Sequence, residues 1–265
     1  MKKINKSLPP NPLTDFTADN PTQDWEAFRQ YNASVDYNTA KNLMVFDQGG
    51  LCAYCEKKIG NLSTDLQRVE HFHPKSDTTS PAKNWALDWN NVFAVCLGGS
   101  HRADADHTKH PLPANLSCDA FKDHLISKKK LQQNCEGYLL NPLTINTPAC
   151  LFDLDKATGK LKPNRAVCES VEYEGANQYV HFVVLVENTI KLLNLNCQRL
   201  CDDRLEVLKQ YNQQITNARK AQNKHIFFQL AQRWFSKPWP SFFTTRRIFL
   251  AQYAENYLLS VNYNG

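Results

Sequence analysis

The sequence predicts an α+β fold in which a small zinc-stabilised core is flanked by N-terminal and C-terminal α-helices. Two cysteines at 52 and 55 form a Cys-x-x-Cys pair, which points to a metal rather than a disulfide in a chain with no recognisable secretory leader. From there to about residue 126 the sequence shows loops and short strand patterns. Roughly the last hundred residues instead repeat apolar side chains at spacings of three and four, which is typical of amphipathic helices.

The N-terminal part contains an irregular segment and then helix signals. Residues 1–24 are rich in Pro, Asn and Thr, and we expect an extended arm that docks on a neighbour. A helix is expected to begin at Asp24, and a second over 38–47, with Gly49 and Gly50 as its stop signal. The predicted domains are the arm at 1–24, the metal-bound core with its leading helices at 25–130, and a mainly helical, partner-binding region at 131–265.

The C-terminal part begins with a hairpin signal. Two short apolar runs flank Asp-Lys-Ala-Thr-Gly at 155–159, and this pattern predicts a β-hairpin with glycine in the turn. Helices are predicted beyond about residue 165. Trp239 lies between two prolines and marks a break before the final helix.

Four cysteines are expected to bind one structural zinc ion. Zinc takes four Cys or His ligands in a tetrahedron, and a Cys-x-x-Cys turn presents two thiolates to one ion. Cys52 and Cys55 supply one half. Cys96 and Cys118 are chosen as the second half because each adjoins other polar motif residues. The alternative interpretation is buried free thiols, and the other five of the nine cysteines are interpreted as small apolar residues.

The same segment carries side chains suited to phosphodiester hydrolysis. His71 can act as the general base, while Glu70 and Asp119 offer oxygen ligands for magnesium or manganese. The amide of Asn91 is expected to hold the histidine-bearing loop by hydrogen bonds. Because His71 and Asn91 fall between the two cysteine pairs, closure of the zinc site is expected to bring them together with Asp119.

Three further side chains are candidate contacts to nucleic acid. Lys75 and Lys122 are expected on the rim of the site, and His73 either contacts phosphate, binds a second metal or lies in an exposed loop. The net charge of +5 permits a polyanionic partner without requiring one. No apolar run approaches the roughly 20 residues of a membrane span, so a cytoplasmic protein without membrane contact is expected.

These motifs resemble the HNH endonucleases, whose ββα-metal fold carries a first His, a middle Asn and a third metal-binding position. Cys-Ala-Tyr-Cys-Glu at 52–56, Val-Glu-His-Phe-His-Pro-Lys-Ser at 69–76 and Trp-Asn-Asn at 89–91 are more similar still to the PtuB family, the HNH component of Septu and retron-associated antiphage systems. Flanking sequence, including Leu-Asn-Leu-Asn at 193–196 and the Arg204 that follows, extends the resemblance over most of the chain.

The resemblance implies the site assignments residue by residue. It implies His71 as the base, Glu70 and Asp119 as metal ligands, and Asn91 as the residue that holds the loop. It also implies zinc on the four cysteines named above. The chain departs from the usual pattern at two positions, with Glu70 where many HNH enzymes have Asp, and Asp119 where Asn or His is common.

The resemblance also implies partners. The PtuB family acts with an ATPase, PtuA, and in retron systems with a reverse transcriptase and its noncoding DNA, as the effector of an antiphage complex. The target would be DNA or RNA, with tRNA one option. The alternative hypothesis is a zinc-stabilised nucleic-acid or partner-binding module without catalysis. A restriction or homing nuclease acting alone would need a more basic surface than +5 provides.

Overall fold

A computed structural model describes residues 1–80, 82–146 and 149–265. Three α-helices precede the cysteine-rich region, namely α1 (Pro12–Asp19), α2 (Trp25–Gln30) and α3 (Val35–Asp47). The Asp24 carboxylate accepts a hydrogen bond from the Ala27 amide at 2.8 Å and so caps α2, as the sequence predicts. Helix α3 begins three residues before the predicted start and ends at the predicted residue, followed by Gly49 and Gly50 with φ of +66° and +82°.

The N-terminal segment does not form an extended docking arm. Leu13 of α1 is fully buried, and Met1 and Ile4 belong to the main hydrophobic cluster of the chain. The backbone amide of Ile4 also donates to the carbonyl of Pro142 at 2.9 Å. The prediction of an extended arm over 1–24 that docks on a neighbour is wrong, because the segment contains α1 and its apolar side chains pack within the same chain.

Two antiparallel strands and a helix form the centre of the molecule. Strand β1 (Gln67–His71) pairs with β2 (Val92–Cys96), and helix α4 (Cys118–Ser127) follows in the chain. The register places His71 opposite Val92 and Gln67 opposite Cys96. Since the strands are antiparallel, the histidine and this cysteine lie at opposite ends of the strand pair, separated by its length.

The C-terminal half contains a hairpin and six helices within the described residues. Strands β3 (Phe152–Leu154) and β4 (Leu161–Pro163) form the predicted hairpin, with Gly159 at φ +72° in the turn. The helices that follow the hairpin are α5 (Arg165–Ser170), α6 (Phe182–Leu192), α7 (Gln198–Lys220), α8 (Ile226–Phe235), α9 (Phe243–Leu250) and α10 (Gln252–Ser260). The break at Trp239 separates α8 from α9, and a second break at Ala251 (φ +43°) divides the predicted final helix in two.

One hydrophobic cluster contains side chains from all three predicted domains. It includes Ile4 near the N-terminus, Phe93 of β2 and Leu200 of α7. The start of α4 is also tied to the C-terminal half, because the backbone amide of Cys118 donates to the carbonyl of Leu193 at 2.8 Å. The core therefore continues across the predicted boundary at 130/131. Among the described residues, no helix combines the length and apolarity that crossing a membrane requires.

Candidate active site and metal centre

The four predicted zinc ligands lie together. The Sγ atom of Cys96 is 3.6 Å from that of Cys55 and 3.8 Å from that of Cys118, and Cys118 is 3.9 Å from Cys52. All four sulfur atoms fall within 4.8 Å of one another and all four residues are buried. These separations are far longer than the ~2.05 Å of a disulfide bond. The four cysteines are free thiols placed around one point.

The spacing of the thiols is compatible with zinc. A tetrahedron with Zn–S bonds of about 2.3 Å has sulfur–sulfur edges of roughly 3.8 Å, and the three distances above lie close to this length. The pKa of Cys55 is lowered well below its usual range because the thiols of Cys118, Cys52 and Cys96 donate hydrogen bonds to it. Burial raises the pKa of Cys118. One thiolate is thus stabilised at the expense of its neighbours, and a bound dication would stabilise all four.

A buried cation lies beside the thiols. Arg199 of α7 is 3% exposed, and its Nη2 donates to Ser117 Oγ at 2.8 Å. Its Nε and Nη1 atoms have no hydrogen-bond partner within the described residues. Burial alone would lower the pKa of Arg199, but nearby thiols, Cys197 and Cys55 first among them, outweigh it and the pKa is raised. A tetrathiolate zinc centre carries net negative charge, which this guanidinium would offset.

A second polar cluster lies between β1 and α4. The ammonium group of Lys122 bonds to the Glu70 carboxylate and lies 3.7 Å from Asp119 Oδ1. The hydroxyl of Tyr54 donates to Glu70 Oε1 at 3.3 Å. All three charged side chains are at most 9% exposed. Two of the predicted metal ligands are therefore brought together, and the same lysine contacts both.

The charges in this cluster do not balance when both carboxyl groups are ionised. Burial raises the pKa of Glu70 well above its usual range, and Asp119 raises it further while Lys122 opposes the shift. For Lys122, burial alone would lower the pKa, but Glu70 and Asp119 outweigh it and the pKa is raised. One ammonium faces two carboxyl groups, and within the described residues Asp119 Oδ1 has no hydrogen-bond partner. This orphaned oxygen and the neighbouring carboxylate fit a hard divalent cation such as magnesium or manganese.

His71 is the last residue of β1 and carries a fixed imidazole. Its Nε2 lies 3.1 Å from the carbonyl oxygen of Ala86, so the neutral ring donates its N–H there and Nδ1 keeps a free lone pair. The ring of Trp25 packs edge-on, with 4.6 Å between centroids and an interplanar angle of 88°. Burial lowers the pKa of His71 to about 4, although the Ala86 carbonyl opposes this shift. The ring is therefore neutral at pH 7 and can accept a proton.

Adjacent strand residues project to opposite faces, and this separates the two neighbouring site residues. Glu70 contacts Lys122 of α4, whereas His71 contacts Trp25 of α2. Asp119 and Lys122 nonetheless both influence the pKa of His71. The histidine and the carboxylate cluster thus occupy the same end of β1 on different sides of it.

Asn91 makes the hydrogen bonds that its predicted role requires. Its Oδ1 accepts from the His73 backbone amide at 2.7 Å. Its Nδ2 donates to the carbonyl of His73 at 2.9 Å and to that of Trp85 at 2.8 Å. The Asn91 carbonyl also accepts from the Phe72 amide at 2.9 Å. The side chain ties two parts of the loop that follows His71 to the start of β2, and its importance for activity remains a prediction.

His73 and Lys122 do not lie at the surface positions that the sequence predicts for them, and their contacts with nucleic acid stay predictions. His73 is 5% exposed, stacks on Trp85 at 3.7 Å between centroids, and bonds through Nε2 to Asp77 Oδ2 at 2.7 Å. Lys122 does not lie on the rim, because the buried carboxylates hold its ammonium group inside the molecule. Lys122 meets Glu70, which is remote in sequence, and Asp119, three residues before it, whereas His73 meets Asp77, four residues after it. Lys75 is exposed.

Other residues around the site were not predicted. Tyr54, the donor to Glu70, lies between Cys52 and Cys55. This position within the Cys-x-x-Cys turn is the one sequence signal that could have identified it. Trp25 and Ala86 hold the imidazole of His71 from distant parts of the chain. No local pattern identifies them, because their role depends on how α2 and the loop before β2 pack against β1.

The structure combines an antiparallel strand pair followed by a helix, a four-cysteine cluster, and a histidine at the same end of a strand as buried carboxyl groups. This combination agrees with the arrangement expected of HNH proteins. No protein-family model matches the chain. It is 36% identical over 248 residues to an Escherichia coli protein named "Retron Ec83 putative HNH endonuclease", and the match covers 93% of this chain and 92% of that protein. The chain therefore belongs to the retron-associated HNH endonuclease family that includes this relative.

Proposed function

We propose that the protein is a metal-dependent HNH endonuclease that hydrolyses phosphodiester bonds in DNA or RNA. The observation that carries this proposal is the fixed, neutral imidazole of His71 at the end of β1, with the buried carboxyl groups of Glu70 and Asp119 at the same end on the other side of the strand. The four-cysteine cluster would hold structural zinc and so fix the turn at Cys52–Cys55 against β2 and α4. In this proposal the zinc ion has no catalytic part.

The residues have separate roles in the proposed reaction. Nδ1 of His71 takes a proton from a water molecule while the water oxygen attacks phosphorus, and the phosphorus–oxygen bond to the leaving group breaks. The leaving oxygen then takes a proton from solvent. A divalent cation bound by Glu70 and Asp119 would stabilise the charge on the phosphate and the leaving oxygen. Asn91 positions the loop after His71 through its hydrogen bonds to His73 and Trp85.

Partners are proposed by kinship. The relative is named as a retron protein, and the motif similarity to PtuB supports an antiphage complex with a PtuA-like ATPase, and with a reverse transcriptase and its noncoding DNA. The test is co-expression of the full chain with the products of neighbouring genes, followed by purification. A chain that remains free of ATPase and reverse transcriptase, yet cuts nucleic acid, would refute the complex and leave the nuclease.

The nuclease itself is tested with His71→Ala. Loss of the base is expected to lower cleavage about 10² to 10⁴-fold, while zinc content and thermal stability stay near those of the wild type. His225→Ala is the matched control, since His225 is exposed at the start of α8 and far along the chain from the site. Cleavage is measured with magnesium or manganese, with co-purifying partners present. Unchanged cutting by His71→Ala would refute the assignment, and a wild type that binds but never cuts would favour a binding module.

A further inference from the structure

A charged groove lies between β1 and the helices α2 and α3. Its cavity of about 670 Å³ is bounded on one side by α2 and α3 and on the other by Gln67, Arg68 and Val69 of β1. Within the described residues, β2 is the one strand that pairs with β1. The groove is open to solvent, so an extended ligand could lie along it.

Positive charge dominates the lining of this groove. Its cations are Arg29, Lys41, Arg68 and Lys75, against two carboxylates, Glu26 and Asp65. Glu26 is already paired, since Arg29 Nη1 lies 2.9 Å from its Oε2. Arg68 and Lys75 are exposed and form no ion pair within the described part of the chain.

The cations are close enough to affect one another. Burial lowers the pKa of Lys41, and the positive charge of Arg29 lowers it further, while Asp65 opposes the shift. Both side chains lie over the ring of Tyr37, with Lys41 Nζ 5.2 Å and Arg29 Cζ 5.6 Å from its centroid. A groove with several mutually repelling cations and an aromatic wall favours a polyanion that also carries flat rings.

The groove also leads to the candidate catalytic residue. Trp25 lines it and packs edge-on against the imidazole of His71. Arg68 precedes that histidine by three residues on β1, and Lys75 follows it by four. Arg68 and Lys75 therefore line the same groove as Trp25, the residue that packs against His71.

We propose that this groove binds one strand of the nucleic-acid substrate and directs its backbone to His71, with Arg68 and Lys75 contacting phosphates. The proposal rests on the proposed nuclease function for the direction of the strand, but the binding itself can be measured without cleavage. It assigns a substrate-binding role to α2 and α3, which lie outside the strand pair and α4.

The test compares two double variants in the His71→Ala background, where cleavage is removed. Arg68→Gln with Lys75→Gln removes two groove cations. Lys156→Gln with Lys220→Gln removes two exposed cations from the hairpin turn and the end of α7, without ion pairs in the described residues. Binding of short fluorescent single-stranded DNA, duplex DNA and single-stranded RNA is measured by anisotropy over a range of salt concentrations, with melting temperatures recorded for each variant.

The groove variant is expected to bind more weakly at low salt. Its slope of log affinity against log salt should fall by about two, because each cation that no longer neutralises a phosphate lowers the slope by about one. The control variant should keep the slope of the parent. Three results would overturn the proposal. The two double variants could weaken binding equally, the groove variant could bind like the parent, or the parent could show no salt-dependent binding of any probe. Cleavage by the chain that retains His71 is assayed separately. A negative binding result would therefore not contradict the nuclease assignment, and an absence of cleavage would not contradict a positive binding result.

Discussion

The ammonium group of Lys122 bonds to the carboxylate of Glu70 inside the molecule. Asp119 Oδ1 lies 3.7 Å from the same ammonium group. The lysine therefore supplies positive charge to two buried carboxyl groups. In the proposed nuclease, a divalent cation bound by the two carboxyl groups would have to share their site with Lys122 or displace it.

Lys122→Met should destabilise the metal-free protein by about 3–5 kcal/mol, because removing one partner of a buried ion pair leaves the other uncompensated. Added manganese should then raise the melting temperature more in the variant than in the wild type, because the ion no longer competes with the ammonium group. Thermal melts with and without manganese measure both effects. If the variant and the wild type had the same melting temperature in the absence of metal, the buried Lys122–Glu70 pair would not stabilise the fold.

Cys118→Ser should lose the metal and unfold at lower temperature, because three thiolates leave the tetrahedral site open. Elemental analysis of the wild type should give about one zinc per chain. Cys150→Ser is the control, since Cys150 is half-buried and lies outside the four-thiol cluster. Full zinc content and an unchanged melting temperature in Cys118→Ser would contradict the assignment of the fourth ligand.

Asn91→Ala should destabilise the fold by about 2–4 kcal/mol, since three hydrogen bonds to His73 and Trp85 are removed in a buried setting. Cleavage should fall with it as the loop after His71 loosens. The neighbouring Asn90 is exposed, and Asn90→Ala should change neither property. Urea denaturation and the nuclease assay provide the comparison, and equal behaviour of the two variants would exclude a holding role for Asn91.

Ile4→Ala should lower the free energy of unfolding by about 2–5 kcal/mol, the usual range for truncating a buried aliphatic side chain. Ile4 is 2% exposed within the main cluster, whereas Leu8, four residues later, is 86% exposed. Leu8→Ala should therefore leave stability nearly unchanged. Denaturant unfolding of the isolated chain measures the difference. If Ile4→Ala unfolded at the same denaturant concentration as the wild type, the N-terminal segment would not be part of the core.

The sequence alone determined the local features of this protein. The spacing of Cys52 and Cys55 indicated a thiol knuckle, and Asp24, Gly49 and Gly50 marked helix ends, because caps and left-handed glycines act over a single turn. The alternation of short apolar runs around 155–159 likewise indicated the hairpin. Cys96 and Cys118 were found through their neighbours in the motif, and the structure places them with the first pair.

Only the tertiary structure decided which side chains meet across the chain. The sequence predicts Lys122 on the rim of the site and leaves three positions open for His73, but both side chains are buried against carboxylates, Lys122 where α4 meets β1 and His73 against Trp85. The predicted arm became part of the core because apolar side chains are stabilised wherever a partner surface exists, and sequence position does not reveal that surface. The groove and the Trp25 contact to His71 depend on the placement of α2 and α3 beside β1, which no pattern within either segment specifies.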